Sequence, residues 1–319
     1  MPLEAPTLAE IRAARDRLAG RVVRTPLVRL AVDDAPGEVY LKLENLQPIG
    51  SFKLRGAGNA MAVAGAERLR DGVYTASAGN MAQGVAWCAR RMGVRATAIV
   101  PEHAPQAKLA ALARLGAEVE KVPFDAWWQT LVDHGQAGRR GVFIHPVSDP
   151  DVMAGNGTIG LEVLEDLPDV EAVLVPYGGG GLSCGIASAV RGSGSRARVL
   201  ACEVETAAPL SAALSAGRPV ATAYTPSFVD GIGGKSVLSE MWPLASRLLD
   251  GALVTTLSDV AAAVRLLAER AHVVAEGAGA APVAAALSGR AGRGKVVCVV
   301  SGGNIDAAVL ARILAGETP

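Results

Sequence analysis

The chain has 319 residues, half of them apolar, and its 31 basic and 31 acidic side chains cancel to a formal charge of zero. That length suggests one large or two smaller domains around a sizeable core, and the balanced charge lacks the basic footprint of a nucleic-acid binder. Aromatic residues make up only 4% against 37 glycines, which favours close packing of helices on sheets over an aromatic stacking platform.

In chain order, residues 7–18 read as a first helix, with Thr7 as cap and Glu10 three residues on completing a capping box. A strand over 39–43 and a helix over 52–64 follow. Strands and helices then alternate: strand 72–76, helix 82–92, strand 95–100, helix 106–115, strand 118–122, helix 126–137 and a short strand at 142–144. Pro146 and Asp149-Pro150 mark a crossing between two lobes. Beyond it come helix 157–166, strand 172–176, helix 181–190, strand 199–203, helices 259–269 and 278–287, and a last strand at 295–300. The spacing is that of βα units building parallel sheets, and short apolar strands suit sheets covered on both faces. No stretch reaches the roughly 18 uninterrupted apolar residues of a membrane span. Residues 252–268 are apolar-rich but interrupted by Thr255, Thr256, Ser258, Asp259 and Arg265, and the N-terminus lacks a signal-peptide core.

Four motifs carry chemistry. Lys53 follows Gly50-Ser51-Phe52 on a tight turn between strand and helix. An amine so placed loses solvation, lowers its pKa and becomes a Schiff-base nucleophile; the plainer alternative is a helix-start lysine beside a glycine turn. Ser77-Ala78-Gly79-Asn80-Met81-Ala82-Gln83-Gly84 opens a helix directly after a strand. The N–H groups of a helix start favour an anion there, or Ser77 and Gly79 simply shape the turn. Gly178-Gly179-Gly180-Gly181-Leu182 lies between a strand and a helix, where curled backbone can turn several N–H groups toward one phosphate. It lacks the Gly-Lys-Ser/Thr ending of a nucleoside-triphosphate loop. Glu203 lies about twenty residues on, so a dinucleotide site is the alternative for this loop alone. Ser301-Gly302-Gly303-Asn304 ends the last strand with a hydroxyl and two glycines.

These motifs, in this order from Thr25-Pro26-Leu27 to Ser301-Gly302-Gly303-Asn304, resemble those of the fold-type II pyridoxal-phosphate enzymes, and within them the threonine/serine dehydratase (serine racemase-like) family. The resemblance implies an α/β fold of two lobes, with open, mostly parallel sheets flanked by helices as in the tryptophan synthase β type. Residues 1–71 and 151–319 would form a large cofactor-binding domain, and 72–150 a small, mobile one. By the same resemblance Lys53 is the catalytic lysine that joins pyridoxal 5'-phosphate, with Phe52 before it. Asn80 meets the cofactor's phenolic oxygen, Gly178, Gly179, Gly180, Gly181 and Leu182 cradle its phosphate, Ser301 meets the pyridine nitrogen, and Glu276 lies near the cofactor edge. Ser77, Ala78, Gly79, Asn80, Met81 and Gln83 form the substrate-carboxylate loop.

The implied reaction is β-elimination of a β-hydroxy amino acid such as threonine or serine to a 2-oxo acid and ammonia. A neutral Ser301 favours elimination over transamination. Racemases of the family carry a serine where this chain has Ala78, which has no proton to give. Met81 replaces the histidine common in the family and softens the pocket wall, so a bulkier or specialised hydroxy amino acid is an alternative substrate. A racemase or β-replacement enzyme of the same fold is a second alternative, and a non-catalytic ligand- or dinucleotide-binding relative a third. Trp127 and Trp128 could line an entrance, but surface packing is the favoured reading.

No metal is expected. Glu203 and Glu205 stand where some relatives bind a cation, but the acidic residue a few positions on is replaced near Ala208 and Pro209. The four histidines, His103, His134, His145 and His272, show no ligand spacing. The thirteen residues after Asp306 leave no room for the regulatory domain of feedback-controlled relatives. Cys88, Cys184, Cys202 and Cys298 are scattered through apolar stretches, which suits a reducing, cytoplasmic setting. A homodimer acting on a small amino acid, without nucleic-acid or membrane partners, completes the expectation.

Overall fold

A computed structural model describes residues 3–33 and 35–319. Met1, Pro2 and Asp34, which fall within the first segment of the expected large domain, lie outside the described residues.

Two sheets organise the chain. The larger has six strands in the order β1-β2-β10-β7-β8-β9. These are β1 (Leu27–Arg29), β2 (Glu38–Lys42), β7 (Ala172–Pro176), β8 (Arg198–Val204), β9 (Ala252–Thr255) and β10 (Lys295–Val299). All pairs are parallel except β1–β2 at one edge. The smaller sheet is wholly parallel, in the order β5-β4-β3-β6, from β3 (Val73–Ala76), β4 (Ala96–Pro101), β5 (Glu118–Val122) and β6 (Val142–Phe143). Its edge strand β5 reads Glu-Val-Glu-Lys-Val, and charge along an open edge discourages pairing with another chain.

Strand alternation divides the core of the large sheet. Ala172, Leu174, Val296 and Cys298 face α10 (Leu257–Leu266) and α11 (Gly277–Leu287). Val173, Val175, Val297 and Val299 face the opposite layer, where α6 (Pro150–Asp166) and α7 (Gly181–Gly192) pack. This two-sided burial is why the strands read as unbroken apolar runs. α1 (Leu8–Leu18) carries the expected capping box: Thr7 Oγ1 accepts from the Glu10 N–H at 3.2 Å and Glu10 Oε2 from the Thr7 N–H at 2.7 Å.

Several elements depart from the sequence reading. β1, β9, α8 (Pro209–Ala216), α9 (Trp242–Leu248) and α12 (Ala307–Leu314) are additional. α5 (Phe124–Val132) stops five residues before its expected end, because His134 turns to φ 53°. α6 starts at Pro150, not at 157, with Asp149 Oδ1 accepting from the N–H groups of Asp151 and Val152. The glycines that look like breakers in α6 are close-approach residues. A Cβ at Gly155 would lie 2.4 Å from the Arg55 carbonyl oxygen on α2 (Lys53–Arg68), and one at Gly157 2.8 Å from that of Gly185 on α7. α6 therefore clamps the start of α2, where Lys53 stands. The apolar side of α2 packs with Val73, with Met81 and Val85 of α3 (Asn80–Met92), and with Val152, so this helix lies between α6 and the small-sheet elements.

Among the described residues, no helix is long and apolar enough to cross a membrane.

Candidate active site

Three adjacent strands, β2, β10 and β7, run parallel and end on the same side, so the segments that follow them converge. In open α/β sheets that carboxyl edge is where ligands bind. The segment after β2 hangs on the segment after β10: the Phe52 N–H donates to the Ser301 carbonyl at 2.9 Å and the Gly303 N–H to that of Gly50 at 2.9 Å. The next residue, Lys53, opens α2. Its Nζ donates to the Pro146 carbonyl at 2.7 Å and lies 5.1 Å from the Phe52 ring centroid. Burial pushes its pKa down to about 8, against the attraction of Glu276.

After β7 the chain curls through Gly178–Gly181 into α7. Gly180 sits at φ 100°, a conformation that L side chains rarely adopt, and caps the helix without a side chain. The first intrahelical bond of α7 runs from the Cys184 N–H to the Gly180 carbonyl, so the N–H groups of Gly181, Leu182 and Ser183 have no helical acceptor. A Cβ at Gly179 would meet the Val147 side chain at 2.6 Å, and one at Gly181 the Val147 carbonyl oxygen at 2.6 Å. The glycines let this loop lie flat against Val147.

From the small sheet, β3 leads through Ser77-Ala78 to α3. Gly79 caps α3 without a side chain, and its N–H donates to Ser77 Oγ at 3.2 Å. A second helix N-terminus thus faces the same space. Asn80 at its start is held from both sides. Its Nδ2 donates to Glu276 Oε1 at 2.8 Å, and its Oδ1 accepts from Asn304 Nδ2 at 2.7 Å. One Nδ2–H of Asn80 remains available. Burial, reinforced by Asp230, pushes Glu276 up to about 7.

All of these groups line one cavity of about 430 Å³, a size typical of small-molecule sites. Phe52, Lys53, Ser77 to Met81, Gln83, Gly178 to Leu182, Glu276 and Ser301, all singled out in the sequence, lie in its wall. Met81 is only 2% exposed and mostly serves the core beside Leu54 and Val85, so it adds little open space. The sequence reading missed Pro146, Val147, Asn304 and, on the outer wall, the ion pair of Lys108 with Asp230 at 2.8 Å, and it placed the cavity role of Trp127 second. Trp127 is not surface packing. It lines the cavity with its indole N–H buried and unpartnered, while Trp128 stays 45% exposed. Asn304 had a signal in its Gly-Gly-Asn run; the Lys108–Asp230 pair had none, because topology alone brings α4 (Gln106–Arg114) to the loop at Asp230.

Glu203 and Glu205 are engaged with backbone. Glu203 accepts from the N–H groups of Leu210 and Ser211 at 2.8 Å each, anchoring α8, and Glu205 from that of Leu257 at 2.8 Å.

The donor set suits an aldehyde that bears a phosphate. A partly desolvated amine stands opposite a glycine cradle whose helix N–H groups lack acceptors, and the cradle has no room for side chains at Gly179 or Gly181. Pyridoxal phosphate fits such a site, with Lys53 at its aldehyde and Gly178–Gly181 at its phosphate.

Comparison with known proteins agrees. Residues 18–302 match the family described as pyridoxal-phosphate dependent enzyme. The chain is 42% identical over 313 residues to an L-threonine ammonia-lyase of Thermotoga maritima, covering 97% of this chain and 78% of that protein. It is 36% identical over 314 residues to the catabolic L-threonine dehydratase TdcB of Escherichia coli K12, covering 95% and 94%. Among solved structures, maize serine racemase superposes with a TM-score of 0.88 at 29% identity, covering 98% of each chain. With a family match over most of its length and relatives well above 30% identity, the chain belongs to the fold-type II pyridoxal-phosphate dependent enzymes.

Proposed function

We propose that this chain is an ammonia-lyase that eliminates water from threonine or serine and, with one water taken up again in hydrolysis, releases ammonia and a 2-oxo acid. The observation that carries the reading is the Lys53 amine, buried, depressed to about 8 and hydrogen-bonded to the Pro146 carbonyl inside a cavity flanked by two helix N-termini. When bound, pyridoxal phosphate supplies the electron sink that makes the substrate α-proton acidic.

The protein's own groups do the rest. The N–H groups that open α3, with the Ser77 hydroxyl, hold the substrate carboxylate and fix the α-carbon in the cavity. Donation to Pro146 uses one N–H of Lys53 and leaves its lone pair free to take the α-proton. The β-hydroxyl departs with a proton as water, and a second water hydrolyses the resulting enamine to 2-oxo acid and ammonia. Ser301, just beyond β10, presents a neutral hydroxyl and not a carboxylate to the cavity, where it would hold the pyridine nitrogen of the cofactor without protonating it. Ala78 offers no second acid, which favours elimination over racemisation.

Trp127 supports a second reading, a substrate with a larger β-substituent. Once the amine, phosphate and carboxylate subsites are assigned, the remaining wall includes Trp127, Pro101, Ile232 and the Lys108–Asp230 pair, and an indole face accommodates an apolar group. Assay of 2-oxo acid release from threonine, serine and a β-aryl serine decides between them. Release from threonine or serine is the expected result. Turnover of the aryl substrate alone would assign the enzyme to the second reading, and release from none of the three, with the cofactor bound, would overturn both.

The same reading divides the chain into a larger unit of residues 1–71 and 151–319 and a smaller one of 72–150, with α2 packed between them. A cytoplasmic setting is supported by four buried, unpaired thiols. A homodimer is proposed on family resemblance, and sedimentation tests it.

Gly181→Ala is expected to weaken pyridoxal phosphate binding about tenfold, since overpacking costs about 1–3 kcal/mol and the added methyl would displace the Val147 carbonyl. Absorbance titration of the cofactor checks this.

A further inference from the structure

Residues 144–149 return the chain from the small sheet to α6 and pass directly behind the cavity. Pro146 accepts the Lys53 amine at 2.7 Å. Val147, the next residue, backs the glycine loop with its carbonyl at Gly181 and its side chain at Gly179. One short strap therefore touches both the amine and the phosphate cradle.

His145 fixes that strap. Its ring is 3% exposed, and Nδ1 accepts the N–H groups of Val147 at 3.1 Å and Ser148 at 2.8 Å. Accepting at Nδ1 places the proton on Nε2, which lies 3.3 Å from Ser148 Oγ. Burial, with His134 and Lys53 nearby, pushes the ring down to about 3, so it stays a neutral acceptor at ordinary pH. His134 stacks on it at 4.4 Å between centroids, with 20° between the planes. Ser148 Oγ donates to Glu240 Oε1 at 3.1 Å. Met241, beside Glu240, approaches the far side of the glycine loop, with its Cε 3.1 Å from where a Cβ would stand on Gly180.

The grouping of His134, His145 and Glu240 gathers three potential metal ligands within 4.8 Å, which the sequence spacing did not reveal. In this arrangement, however, the Nδ1 lone pair of His145 is committed to two backbone N–H groups and Nε2 holds the proton. The ring is built as a clamp and has no lone pair to offer a cation.

We propose that His145 is a positioning residue for the reaction, locking the 145–148 strap so that the Lys53 amine and the Gly178–Gly181 loop keep one fixed separation. The proposal rests on the reading that Lys53 and the glycine loop hold pyridoxal phosphate.

The test compares wild type, His145→Leu, His145→Asn and Glu240→Ala as full-length chains. Three quantities are measured: the dissociation constant for pyridoxal phosphate, the rate at which the visible Schiff-base band forms at saturating cofactor, and the fraction of Lys53 trapped by borohydride. Leu fills the space but accepts no hydrogen bond. It is expected to weaken binding about tenfold, as two buried N–H groups lose their acceptor, and to slow capture at saturation. Asn, whose Oδ1 can accept in place of Nδ1, is expected to recover most of both. Glu240→Ala, half-exposed and free of the core, should show a smaller loss of about threefold in the same direction. A folded Leu variant with wild-type binding and capture, or an Asn variant no better than Leu, would overturn the proposal. If the Leu variant does not fold, unchanged binding in Glu240→Ala overturns it and weakened binding supports it. Wild type that forms no band and traps nothing at Lys53 would instead sink the underlying functional reading.

Discussion

Lys53→Ala is expected to abolish 2-oxo acid release, by about 10³-fold or more, together with the visible band of the bound cofactor. The residue is assigned two tasks, covalent capture and proton abstraction, and general-base catalysis alone contributes about 10²–10⁴-fold. Gly178–Gly181 and the helix N-terminus behind it remain intact in this variant, so cofactor phosphate still binds, more weakly. Loss of the band with retained binding in a dialysis assay separates a missing nucleophile from a collapsed site. Substantial turnover in Lys53→Ala would remove the residue from the reaction.

The same amine sets a pH dependence. Protonated Lys53 neither captures an aldehyde nor takes a proton, so capture of added pyridoxal phosphate should rise with pH around a midpoint of about 8. Glu276 raises that pKa, so Glu276→Gln should move the midpoint down. Stability follows the same shift. The native amine sheds its proton near 8, whereas the unfolded one holds it to about 10.5, so cofactor-free protein gains stability as pH rises through that window. Below 8 both states are charged and the native state bears the full cost of burial. Lys53→Met should therefore stabilise the cofactor-free chain at pH 7, by roughly 1–3 kcal/mol after allowance for water at the cavity. Urea unfolding across pH 6–10 (roughly the window of the shifted group) measures it.

Lys53, Asn80, Ser301 and the glycine loop were legible in the sequence because each stands in a glycine-bearing segment between a strand and the next helix, and the glycines required there are themselves the signal. The strap at Pro146–Ser148 was not. Pro146 and Val147 act through a backbone carbonyl and an aliphatic side chain, and neither type announces a site. Trp127 was read with the wrong preference, because an aromatic on a short amphipathic helix looks alike whether it faces solvent or a cavity rim. The helix expected from residue 157 begins at Pro150, and Gly155 within it allows close backbone contact with α2. The strand at Ala252–Thr255 was hidden because its half-buried edge position leaves a weak pattern.

Arg55→Leu is expected to cost about 3–5 kcal/mol, the range for breaking a buried ion pair by removing one partner. Arg55 lies two residues beyond Lys53 and is 1% exposed. Its Nε and Nη2 donate to Glu44 at 2.8 Å each, and Nη1 and Nη2 to Glu162 at 2.6 and 2.8 Å. Lys42 donates to Glu162 and to the Thr25 carbonyl, and Thr25 Oγ1 to Glu44. Two cations and two carboxylates thus close a neutral network joining β2, α2 and α6, the elements that fix where Lys53 stands. Burial opposes ionisation of Glu44, but Arg55 outweighs it and holds the carboxyl below 4.5. Glu44 therefore contributes stability above that pH, lost as the pH falls through its depressed pKa. Without Arg55, the desolvation of Glu44 is no longer outweighed, its pKa rises, and the sign reverses: the variant should gain stability on mild acidification where wild type loses it. Denaturant unfolding at two pH values tests both statements. The half-exposed pair of Arg24 with Glu165 and Asp166 serves as control, where Arg24→Ala should cost under about 1 kcal/mol. An Arg55→Leu chain that unfolds with wild-type stability and wild-type acid sensitivity would mean that the network contributes nothing to holding α2, and that packing such as the Gly155 contact with α2 sets the position of Lys53.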